Sequence, residues 1–159
     1  MNIYFLSDQF FPRTSADSEQ IVSSLSGLAM SNHVTLVSAK YRGSQQVSIK
    51  ELNSYYNTNG HFNLEFVSHW FKNIRGIEKI VFSLSVIKLL KQSKADVIIT
   101  RNIPILLSVL VFTNIPILFE SYRPWPSRNL FAKKVFQFLS HKKQLLGVIL
   151  HSKFAGRKL

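Results

Sequence analysis

The chain has no cysteine, which excludes a disulfide framework and thiolate chemistry and agrees with a reducing cytosol. It is short of acid as well: 8 Asp and Glu stand against 20 Lys and Arg, a formal charge of +12. Such a field favours anionic partners such as nucleic acid, phospholipid head groups or phosphorylated small molecules, although dispersed lysines also serve plain solubility. Nowhere do apolar residues run for the ~18 positions that a bilayer span requires. The nearest approach, residues 103–118, is divided by Pro104, Asn114 and Pro116. The N-terminus enters a strand pattern closed by Asp8, with no signal-peptide pattern. Glycine is missing where phosphate binding would need it. The segment DQFFPRTSADSEQ (residues 8–20) has none, whereas a dinucleotide or phosphate loop needs glycine so that backbone can approach the phosphates. A nicotinamide dehydrogenase is therefore excluded and no cofactor is expected. His33, His61, His69, His141 and His151 show no ligand spacing, so no metal site is expected. Neither Ser121 nor Ser152 sits in a nucleophile elbow.

What is present is a regular alternation. Hydrophobic residues make up 46% of 159, enough for one domain with a proper core over 1–159. Six short apolar runs predict buried strands at residues 3–7, 34–38, 64–68, 97–100, 117–120 and 148–150. Helical patterns lie between them. Ile21, Val22, Leu25, Leu28 and Ala29 form one stripe, opened by Asp17 with Gln20 three residues on. Ile77, Ile80, Val81, Leu84 and Ile87 form a second, Pro104 marks the first turn of a third helix, and Phe131, Val135, Phe138 and Leu139 form a fourth stripe. The expected fold is α/β: a doubly wound, mostly parallel, Rossmann-like sheet with helices on both faces. Residues 41–63, polar and containing the turn dipeptide Asn59-Gly60, read as a long connection. Residues 145–150 run into HSKFAGRKL (residues 151–159), which reads as the opening turns of a helix, as though a continuation were missing.

In an open parallel sheet, ligands bind beyond the carboxyl ends of the strands. That directs attention to residues 8–19 after the first strand, with Arg13, Thr14, Ser15, Ala16 and Glu19 among them, and to Arg101 and Asn102 after the fourth. Ser121, Tyr122 and Arg123 follow the fifth, and His151 and Ser152 the sixth. Two arginines, an amide, hydroxyls and a helix N-terminus suit an anion or a sugar. The competing reading is local: Arg101 and Arg123 pair with Glu120 or with carbonyls, and Asn102 only caps a helix. No acid/base pair or nucleophile constellation emerges, and no catalytic residue is assigned.

Four segments in order carry a resemblance. NIYFLSDQFFPRTSADSEQIVSSLSGLAMSNHVTLVSA has a strand, a proline-containing loop, a small-residue turn with a glutamate, an amphipathic helix and a second strand entered by His-x-Val. ADVIITRNIPILLSVL, NIPILFESY and LLGVILHSKFAGRKL follow. Together they resemble the N-terminal domain of GT-B glycosyltransferases, in particular the retaining family that builds polysaccharides and glycolipids. The resemblance spans most of the chain except residues 41–63. It implies the acceptor-binding half of an enzyme that moves a sugar from a nucleotide-sugar to a saccharide or lipid-linked acceptor, inactive without a C-terminal domain or partner subunit. The sequence departs from that family at two places. Ser15 and Ala16 stand where it often has two glycines that meet the donor's diphosphate, and Tyr122 stands where it often has histidine.

The resemblance also implies a peripheral location at the inner face of the plasma membrane, through basic and apolar residues. Trp70, Phe71, Lys72 and Arg75 are the first candidates, and the lysine-flanked helical pattern at residues 129–143 the second. The alternative function is a non-catalytic basic module for nucleic acid or another anionic partner; no recognition helix or aromatic RNA-binding motif supports nucleic acid.

Overall fold

The computed structural model describes residues 1–41, 46–69, 77–121 and 130–150. Six strands, β1 (Asn2–Ser7), β2 (His33–Tyr41), β3 (Asn63–His69), β4 (Val97–Thr100), β5 (Ile117–Ser121) and β6 (Leu145–Leu150), form one sheet in the order β3-β2-β1-β4-β5-β6. Every pairing is parallel. This is the doubly wound order in which the chain reverses direction beside its first strand. All six expected strands are present. β4 is buried at all four positions, as a central strand covered on both faces must be.

Side-chain alternation divides the core in two. Ile3 and Phe5 of β1 and Val97 and Ile99 of β4 point to one face. There they meet Ile21, Val22 and Leu25 of α1 (Ala16–Leu28) and Leu52 and Tyr56 of α2 (Ile49–Tyr56). Leu6 and Ile98 point to the other. They pack against Phe82, Val86 and Leu90 of α3 (Ile77–Gln92), Ile105, Leu106 and Val109 of α4 (Ile103–Phe112) and Leu139 of α5 (Leu130–Ser140). Helices cover both faces, as the alternating pattern predicts.

Several local expectations change. The region 41–63 is not a plain connection, because Ser48 and Glu51 form a complete capping box that starts α2. The Glu51 N–H donates to Ser48 Oγ at 3.2 Å, and the Ser48 N–H donates to Glu51 Oε2 at 2.7 Å. The Ser48 backbone donor, aided by its hydroxyl, holds the exposed Glu51 carboxyl below its ordinary pKa. Asn57, at φ 50°, ends the helix in the left-handed region. Gly60 turns no hairpin. It lies against α1, where an added Cβ would stand 2.2 Å from Ser26 Oγ and 2.9 Å from Ser26 Cα, so the close approach requires glycine.

α1 is capped by Ser15, whose hydroxyl accepts the Ser18 N–H at 3.3 Å; Asp17 lies inside the first turn and serves elsewhere. On α3 the sheet takes Phe82, Val86, Ile87 and Leu90, while Ile77, Ile80 and Leu84 remain about half exposed. The helix is apolar on two sides, and the bulkier phenylalanine row packs inward. On α5, Val135 is half-buried and Leu139 buried, but Phe138 faces outward beneath the Lys142 ammonium, 4.8 Å from its ring centre.

Candidate functional site

Where the chain winds in opposite directions from β1 and β4, the loops beyond those strands diverge and leave a crevice. Its volume is about 790 Å³, within the ordinary range for small-molecule sites of roughly 300–1,000 Å³. Asp8 and Gln9 follow β1, Ala16, Asp17 and Gln20 come from the first turns of α1, and Lys79 from the start of α3. Arg101, Asn102, Ile103 and Pro104 join β4 to α4, and Phe119, Glu120 and Ser121 end β5. Apolar walls (Ile21, Ile103, Phe119) thus flank a polar floor.

Hydrogen bonds hold that floor. The Thr100 hydroxyl donates to the Leu6 carbonyl at 2.9 Å and accepts the Asn102 N–H at 3.2 Å, tying β4 to β1 at the point of divergence. The Gln9 carbonyl accepts from Ser38 Oγ at 2.9 Å. Its side-chain amide accepts from Ser18 Oγ at 2.8 Å and donates to Asp17 Oδ2.

Arg101 is the keystone. Pairing of Thr100 with Phe119 in the sheet brings the next residues, Arg101 and Glu120, side by side. The guanidinium donates from Nε to Glu120 Oε2 at 2.7 Å and from Nη2 to Oε1 at 2.8 Å. Nη1 donates to Asp17 Oδ1 at 2.5 Å and to the Asp17 carbonyl at 3.2 Å, and the group lies 5.8 Å from the centre of the Phe5 ring. The Arg101 and Glu120 side chains are only 10% and 9% exposed, so this is a desolvated bidentate pair with a second carboxylate attached. Its work is to lock α1, β4 and β5 together. At the rim, the Lys79 ammonium stands 3.5 Å from Asp8 Oδ2, and among the described residues the crevice lining sets three carboxylates against two cations.

Of the residues singled out in the sequence, Ala16, Arg101, Asn102 and Ser121 line the crevice. Arg101 pairs with Glu120, as the local reading expects, and Asn102 caps α4, its Oδ1 accepting the Ile105 N–H at 3.1 Å. The others on the same loop lie outside the lining. Arg13 is pinned by its main chain to the Tyr56 hydroxyl at 2.7 Å and 2.8 Å, Thr14 Oγ1 bonds the Tyr55 hydroxyl at 2.7 Å, Ser15 is the cap of α1, and Glu19 is exposed on its first turn. Tyr122 and Arg123, the segment 151–159, and Trp70, Phe71, Lys72 and Arg75 lie outside the described residues. Asp8, Gln9 and Asp17 fall within residues 8–19, whereas Gln20 and Lys79 lie beyond the strand-end segments. Lys79 follows from extending the strand-end rule into the first turn of the next helix.

Among the described residues no group of three His, Cys, Asp or Glu is placed to hold a metal ion, and no helix is long and apolar enough to cross a membrane. No protein-family model matches the sequence, and no curated protein matches it significantly.

Proposed function

We propose that the crevice binds the acceptor saccharide in a GT-B-type sugar transfer, with a second domain or subunit carrying the nucleotide-sugar. The observation that carries this reading is a cavity of about 790 Å³ at the switch point, lined by amide, carboxylate and cationic groups together with apolar side chains. A sugar ring presents hydroxyls that both donate and accept, and apolar faces that pack on side chains such as Ile103 and Phe119. Three of the four segments that resemble the family contribute to this cavity: the loop after β1, the β4–α4 junction and the end of β5. Within the cavity Asp17 and Glu120 are held by Arg101, and in this reading the nucleotide-sugar belongs to the second domain or subunit. The purified chain should therefore bind saccharide but turn over no nucleotide-sugar; transfer or hydrolysis of a nucleotide-sugar by the chain alone would contradict the reading.

Peripheral membrane association belongs to the same proposal. On the α3/α5 side, Lys88, Lys91, Lys133, Lys134 and Lys143 are exposed beside half-exposed Ile80, Leu84 and Phe138. Cations near anionic lipid contribute about 1 kcal/mol each, and exposed apolar side chains supply the anchor. Trp70 and Phe71 precede α3 in sequence and remain candidates for the same contact.

A further inference from the structure

The charge of the chain and the charge of its crevice point in opposite directions, and three features of the crevice decide which ligand it takes. First, Arg101, the buried cation, is matched by Glu120 and Asp17, and Asp8 adds a third carboxylate against Lys79. Second, the starts of α1 and α4 have spent donors on their own chain. At α4 the Ile105 N–H goes to Asn102 Oδ1, the Leu106 N–H to the Asn102 carbonyl, and Pro104 has no N–H. At α1 the Ser18 and Glu19 N–H groups go to Ser15, and Asp17 places a carboxylate in the first turn. Third, Asn102 is only 9% exposed, and the bond from Ile105 fixes the orientation of its side chain. Its Nδ2 donor then has no hydrogen-bond partner among the described residues. A buried amide donor without a partner is costly and calls for an acceptor. An anion needs donors only; a hydroxyl needs a donor and an acceptor together. Asn102 Nδ2 supplies the one, and Asp8, whose contact with Lys79 is an ion pair at 3.5 Å, supplies the other.

We infer that the crevice selects an uncharged or amine-bearing, hydroxyl-rich ring and rejects carboxylate and phosphate groups. The inference rests on the saccharide reading and adds a charge preference to it.

The test is a shift-mapping titration of the 159-residue chain by ¹H–¹⁵N NMR at physiological ionic strength, where general attraction to the basic chain is screened beyond about 8 Å. Four probes are compared: methyl glucoside, methyl glucosaminide, methyl glucuronide and inorganic phosphate. The first two should move the Asn102 and Gln9 side-chain amides. The glucuronide should bind roughly tenfold more weakly, the scale of one like charge about 3 Å away across water, and phosphate should leave those signals in place. Asp8→Asn should narrow the gap between glucoside and glucuronide. Equal or tighter binding of glucuronide, or a phosphate shift at Asn102, overturns the charge preference while leaving a sugar site standing. Silence toward all three sugars overturns the saccharide reading and the inference with it.

Discussion

At the crevice, Asp8, Asp17 and Glu120 face Lys79 and Arg101, whereas the outward side of α3, α5 and the turn after it carries Lys88, Lys91, Lys133, Lys134, Lys142 and Lys143 with Glu78. The first region has a desolvated Arg101–Glu120 pair at its centre and is cross-linked by hydrogen bonds. The second is solvated, with apolar side chains standing free among the lysines. A charge of +12 therefore describes the surface and misdescribes the site. The lesson is that net charge acts at a distance, on solubility and encounter, while selectivity in a cavity follows the few groups left after internal pairing is complete.

The largest expected effect comes from breaking the crevice floor. Arg101→Ala removes the buried cation that separates the Glu120 and Asp17 carboxylates, which should cost about 3–5 kcal/mol of stability; chemical denaturation checks this, and a loss below 1 kcal/mol would show that the triad does not hold α1, β4 and β5. A smaller and different effect is expected on the other region. Lys133→Glu with Lys134→Glu changes exposed positions on α5 and should alter stability by no more than about 0.5 kcal/mol. It should nevertheless abolish most cosedimentation with anionic vesicles, and neutral vesicles should retain neither protein. Unchanged binding by the double variant would detach the membrane proposal from this face.

The sheet was legible because each strand is a short apolar run between polar breaks, and parallel order follows from the helices between them. α2 was not, because its Ser- and Asn-rich composition outweighs one capping box and a buried pair, Leu52 and Tyr56. On α3 the row Ile77, Ile80, Leu84 has as good a helical period as the row that packs, and sequence spacing alone does not choose between them. The site was legible by position and not by partnership. Arg101 and Asn102 follow from the strand-end rule. The Arg101–Glu120 pair depends on the register of β4 against β5, and the Asp17 contact on how α1 lies across both.

The most direct measurement is a crystal structure of the chain grown with a neutral methyl glycoside. Density for one sugar ring is expected between β1 and β4, with a hydroxyl accepting from Asn102 Nδ2 and donating to Asp8, and with the Arg101–Glu120 pair intact. A ring bound elsewhere, or a crevice in which Arg101 has left Glu120 to hold an anion, would contradict the assignment of this crevice as a sugar site.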